Sequence, residues 1–252
     1  MDKSRNVALS KVPEVTLVFW VIKILATTLG ETGGDTLSMS MHLGYLLSTG
    51  IFSVVFIGAV LVQTYSRSFH PVTYWVTIIT TTTVGTTLAD FADRTLGIGY
   101  AGGSALLLLL LLTSLYLWYR DQGSVSVSAV ISKRTEAYYW VTIMFSQTLG
   151  TALGDWVADT QGLGYAASSI IFGGTLAIIA VAYFKTRVSR VTLFWSAFIL
   201  TRPLGAVVGD FLDKPVNAGG LDLSRYSASV TLLVLIAILI FAFDHKPAQS
   251  AH

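Results

Sequence analysis

The chain has 252 residues, of which 53% are hydrophobic and 12% charged, with a formal net charge of +2. A soluble domain of this length needs more charge to cover its surface, and so small a positive balance points to no nucleic-acid partner. The absence of cysteine excludes disulfides, zinc–thiolate sites and thiol redox chemistry.

The first apolar run, Val15 to Leu29, has no small-residue cleavage site behind it and is followed by many similar runs, so it reads as a membrane helix rather than a signal peptide. A span takes about 20 apolar residues to cross about 30 Å of hydrocarbon. On that measure the spans fall near 15–36, 43–63, 72–92, 100–119, 137–158, 165–184, 191–212 and 226–243. The fourth is the clearest, with Leu106 to Leu112 unbroken. A barrel strand would alternate at every second position. These runs are continuous, so helices are expected.

Orientation follows from lysine and arginine. One side holds eleven of them: Lys3, Arg5, Lys11, Arg67, Arg120, Lys133, Arg134, Lys185, Arg187, Arg190 and Lys246. The other holds three: Arg94, Lys214 and Arg225. Positive loops stay cytoplasmic, which places both termini there. Trp118 and Tyr119 fit an interfacial aromatic belt, and Lys23 is expected to snorkel to the cytoplasmic face.

Aligning the tryptophans exposes an internal repeat. Trp20, Trp75, Trp140 and Trp195 each follow an aromatic residue: Phe19, Tyr74, Tyr139 and Phe194. Ten positions later stand Gly30, Gly85, Gly150 and Gly205; fifteen positions later stand Asp35, Asp90, Asp155 and Asp210. Tyr45, Tyr100 and Tyr165 follow at twenty-five, whereas the fourth copy carries a six-residue insertion around Asn217 before Tyr226. The tryptophans read as interfacial anchors and the glycines as close-packing positions. Spacings of 120 residues from Trp20 to Trp140 and from Trp75 to Trp195 suggest a doubled four-helix half. The halves are residues 1–130 and 131–252 of a single integral membrane domain. The fold class expected is an all-α membrane protein of eight transmembrane helices, from four tandem like-oriented repeats. They should be related by a pseudo-fourfold or pseudo-twofold axis along the membrane normal.

With four tandem two-helix units, each with its tryptophan, the chain resembles a bacterial membrane-protein family known as a repeat of unknown function. The resemblance covers nearly the whole chain. It implies the architecture and a multi-pass location in the bacterial inner membrane, and it implies no activity.

Positions seven, eleven and fifteen after each tryptophan share one helical face. They are Thr27, Glu31, Asp35; Thr82, Thr86, Asp90; Gln147, Thr151, Asp155; and Arg202, Ala206, Asp210, of which eleven of twelve are polar. Such a face should point inward. At about 1.5 Å per residue the aspartates lie roughly 22 Å from the tryptophan level. Arg202 lies near mid-membrane, where an unpaired cation costs several kcal/mol. Glu31 is its expected partner, and Pro203 should bend the span. Ionisable groups at such depths mark a functional site by default.

Asp35, Asp90, Asp155, Asp210 and Glu31 are the candidate metal ligands, because clustered carboxylates bind hard cations such as Mn²⁺, Mg²⁺ or Ca²⁺ and share protons. Thr27, Thr82, Thr86, Gln147, Thr151 and Arg202 complete the candidate ion-binding set. The reading is a cation transporter, possible proton coupling included, with a divalent metal such as manganese as substrate. The alternatives are an anion or small-solute transporter built on Arg202, or a non-transporting membrane subunit. No catalytic motif, cofactor or enzyme activity is expected. The expected partners are the lipid bilayer, an inorganic cation and a second copy of the chain. Met39, Met41 and His42 offer a minor copper-binding possibility.

Overall fold

The computed structural model describes residues 10–249, apart from the side chain of Thr160; Lys3 and Arg5 of the topology count lie outside them. Eight long α-helices follow one another: α1 (Leu17–Asp35), α2 (Gly44–Tyr65), α3 (Pro71–Asp90), α4 (Tyr100–Gln122), α5 (Lys133–Asp155), α6 (Gly164–Lys185), α7 (Arg190–Asp213) and α8 (Arg225–Ala242). Their starts carry local signals. The Thr16 hydroxyl caps α1 by accepting from the Phe19 amide at 3.2 Å, Pro71 opens α3, and Ser132 and Thr135 form a reciprocal capping box on α5. α7 runs through Pro203 as one helix.

Among the described residues, six helices are long and apolar enough to cross a membrane: α1, α2, α4, α6, α7 and α8. α3 falls short because threonine crowds it, at positions 73, 77, 80–83, 86 and 87, and α5 because Lys133, Arg134 and Glu136 open it and Ser146, Gln147, Thr148 and Thr151 lie along it. In α3, threonine hydroxyls bond back to carbonyls one turn earlier, as Thr77 does to Thr73 (2.8 Å) and Thr83 to Ile79 (2.8 Å). This spares an apolar environment their unpaired donors.

The odd-numbered helices form the inside. α1 packs on α3, α3 on α5, α5 on α7, and α7 back on α1. The even-numbered helices cover them, each on the following copy: α2 lies on α3, α4 on α5, α6 on α7, and α8 returns to α1. Each two-helix unit is therefore completed by its neighbour, and the circuit closes on itself.

Two sets of contacts enforce this closure. First, each tryptophan packs, tilted or edge-on, against the aromatic residue that precedes the tryptophan of the copy before. Trp75 meets Phe19 at 5.3 Å between ring centres, Trp140 meets Tyr74 at 5.8 Å, Trp195 meets Tyr139 at 6.3 Å, and Trp20 meets Phe194 at 5.9 Å. Second, the glycine of each copy receives the seventh-position side chain of the next. A methyl group at Gly30 would meet Thr82, at Gly85 Gln147, at Gly150 Arg202, and at Gly205 Thr27.

The aromatic contacts correct the sequence reading of the tryptophans. Trp75, Trp140, Trp195 and Trp118 are buried in a shared aromatic core, and only Trp20 of the repeat set is partly open. Edge-on and tilted aromatic pairs contribute about 0.5–1.5 kcal/mol each beyond the area they bury, and these rings meet such partners inside the bundle. The residue that sits at the rim is Tyr119, which is exposed. Lys23 does not snorkel either. It is fully buried, with Nζ 4.2 Å above the centre of the Phe198 ring, because its position on the inner face of α1 points its stem at the bundle interior.

Candidate functional site

The inner faces of α1, α3, α5 and α7 stack as layers of four, one layer per helical step of four residues. From the tryptophan end these are Phe19, Tyr74, Tyr139, Phe194; then Lys23, Ile78, Ile143, Phe198; then Thr27, Thr82, Gln147, Arg202; then Glu31, Thr86, Thr151, Ala206; then the four aspartates. Every one is buried. The first layer is closed by rings and by a 2.6 Å hydrogen bond between the hydroxyls of Tyr74 and Tyr139.

Arg202 belongs to the third layer but reaches into the fourth. Its Nη2 lies 2.9 Å from Glu31 Oε2 and donates to Thr86 Oγ1 at 2.6 Å and to Thr151 Oγ1. One guanidinium thus engages a residue from each of the other three copies. In its own copy the fourth-layer position is Ala206, which leaves the space that the guanidinium fills. The pairing with Glu31 is the one anticipated from the stripe. Thr86 also donates to the Gly30 carbonyl at 3.1 Å, and Thr27 to the Thr201 carbonyl at 3.1 Å, so these two threonines tie neighbouring inner helices together. Thr82 Oγ1 and both side-chain polar atoms of Gln147 have no hydrogen-bond partner among the described residues.

Above this level the four aspartates converge in two bridged pairs. Arg94 lies 3.0 Å from Asp90 and 3.0 Å from Asp155. Lys214 lies 3.0 Å from Asp210 and 3.0 Å from Asp35. In each case a cation four residues after its own aspartate reaches across to the aspartate of the next copy in the ring. Arg225, which the sequence reading left out of the site, pairs with Asp213 at 2.9 Å and approaches Asp35 to 3.7 Å. The signal for Arg225 was its place just past the insertion of the fourth copy, at the acid-rich end.

The chain changes geometry here. α1, α3 and α5 each pass directly from their aspartate into a five-residue π-helical turn: Thr36–Ser40, Phe91–Thr95 and Trp156–Thr160. Such turns are rare and concentrate at functional positions. In the fourth copy α7 stays α-helical to Asp213, which brings Asp213 inward. Asp35, Asp210 and Asp213 each then offer one carboxylate oxygen within 4.8 Å of the others, a spacing that one hard cation can bridge.

Lys214 stands just beyond the end of α7. Burial works against its charge, but Asp210, Asp35 and Asp213 override this and hold its pKa above the ordinary lysine value. Tyrosines complete the rim. Arg94 donates to the hydroxyls of Tyr45 (3.3 Å) and Tyr100 (3.1 Å), and the Tyr165 hydroxyl donates to Asp159 (3.1 Å). Tyr226 of the fourth copy is exposed. Met41 is exposed as well, while Met39 and His42 sit in and just after the first π turn.

No curated protein and no solved structure matches the chain. A family model described as Repeat of Unknown Function (DUF347) matches four times, at residues 18–69, 73–124, 138–189 and 193–243, and each match begins two residues before a repeat tryptophan. With four such units, helical throughout and apolar outside, the chain belongs to the DUF347 repeat family.

Proposed function

We propose that the protein is a carrier of small cations that crosses the bacterial inner membrane eight times, with both termini in the cytoplasm. Protons serve as the exchanged counter-charge. The observation that carries this reading is the convergence of the four repeat aspartates. Together with Glu31, Asp93 and Asp213 they put seven buried carboxylates at one end of the bundle, against Arg94, Arg202, Lys214 and Arg225. Carboxylates outnumber fixed cations by three, and charge packed so closely has to be met by protons or by bound cations. A divalent ion such as Mn²⁺ suits the oxygen-only donors, with Asp35, Asp210 and Asp213 as its nearest seat.

Arg94 and Lys214 act in this reading as tethered cations that keep the aspartates paired until a substrate cation replaces them. The Arg202–Glu31 pair forms the floor of the site and the aromatic layer closes the cytoplasmic end. Access through that floor takes a second conformation. An anion carrier built on Arg202 is less favoured, because Glu31 already meets its charge.

In proteoliposomes an imposed pH gradient should drive Mn²⁺ uptake, and Asp90→Asn and Asp210→Asn should each abolish it. If both variants carry every cation tried as fast as the unaltered protein, the reading fails. Lys214→Gln removes a positive charge 3.0 Å from two carboxylates. It should tighten Mn²⁺ binding, measured by titration calorimetry, by about tenfold or more.

A further inference from the structure

Between the outer helices the α1–α7 seam is partly open. α6 lies on α7 and α8 lies on α1, and between α1, α6 and α7 runs a groove of about 410 Å³ with an almost wholly apolar lining. Its walls include Leu17, Trp20 and Ile24 of α1, Phe184 of α6, and Phe194 and Ala197 of α7. Along α7 it extends from Arg190 to Thr201, about 16 Å of helix. That matches the hydrocarbon depth of one leaflet, about 15 Å.

Arg190 sits at the mouth of this groove. Its guanidinium stacks 4.3 Å from the Tyr183 ring and donates to the Tyr183 carbonyl, which holds the side chain at the end of α6. No carboxylate pairs with it among the described residues. Lys185, the last residue of α6, and Arg187 of the short connection that follows lie exposed. An unmatched, positioned guanidinium at headgroup level above a leaflet-deep apolar slot is complementary to a lipid with a charged phosphate and an extended chain.

We infer that this groove binds one anionic phospholipid of the cytoplasmic leaflet, phosphate at Arg190 and one acyl chain along Trp20 and Ile24. The inference rests on the membrane placement above and not on the cation reading. A lipid here would fill the α1–α7 seam, where the ring closes.

Trp20 supplies the readout, because it is the one repeat tryptophan that is not buried. In nanodiscs, phosphatidylglycerol with brominated chains should quench tryptophan fluorescence more strongly than phosphatidylcholine with the same chains. Trp20→Phe should remove the difference, and Arg190→Gln should lower the preference for phosphatidylglycerol about fivefold. Equal quenching by the two lipids in the unaltered protein overturns the inference, as does an excess that survives Trp20→Phe. So does a cross-linked dimer in which Trp20 is shielded from both lipids, since the occupant is then a second copy. The comparison of the two lipids with unaltered protein decides the matter even where Arg190→Gln fails to fold.

Discussion

Replacing Arg202 with methionine should destabilise the protein by about 3–5 kcal/mol, and replacing Glu31 with leucine should do the same, because each leaves a buried charge without its partner. Arg202 is fully buried and its ion pair with Glu31 lies in the centre of the bundle. Neither side chain is open to solvent, at 0% exposure for Arg202 and 2% for Glu31. The double variant Glu31→Leu/Arg202→Met should recover most of the loss, since two apolar side chains of similar volume need neither solvation nor pairing. The hydroxyls of Thr86 and Thr151 would lose the guanidinium, but Thr86 keeps the Gly30 carbonyl as its acceptor. Thermal unfolding in detergent measures all three. Single variants as stable as the parent would show that the pair does not occupy the buried position described. A double variant no better than the singles would show that Arg202 is held chiefly by the two threonines.

Gly205→Ala should cost about 1–3 kcal/mol or more, the range for forcing an extra carbon into a packed contact. The added methyl would overlap the Thr27 side chain and stand 2.8 Å from the Thr27 carbonyl carbon, which cannot rotate away. Gly85→Ala should cost as much, because its neighbour at 2.9 Å is the Gln147 backbone. Gly174→Ala on α6 meets nothing within 4 Å and should leave stability unchanged or slightly raised. Position 205 matters most because it lies on the α1–α7 contact, where the last copy meets the first. A Gly205→Ala protein with an unshifted unfolding temperature would mean that this seam is looser than the other three, and that the ring is not tightly closed.

The seam explains why the repeat looks as it does. An aromatic–tryptophan pair, a glycine ten residues on and an aspartate five beyond that are the parts of one helix that touch the next. The ring packs backward on the previous copy, the glycine accepts the following one, and at two of the four joints the acids share a cation. Contacts repeated around a circuit tolerate little variation, since a misfit in one copy displaces the others.

The number of repeats, their boundaries, the inward polar face and the Arg202–Glu31 pair were determined by the sequence itself. Those features depend on helical periodicity and on the cost of charge in apolar surroundings, and both are local or nearly so. Tertiary structure alone decided the fate of the tryptophans and Lys23: three of the four repeat tryptophans are buried and Lys23 lies over the Phe198 ring, because the inner helices pack on one another at that end. It also decided the exchange of outer helices between neighbouring units, and the pairing of Asp90 with Asp155 through Arg94 and of Asp35 with Asp210 through Lys214. A sequence shows how residues are spaced along one helix; which helix stands opposite, and so which of the four equivalent aspartates shares a cation with which, is set only when the last copy packs against the first.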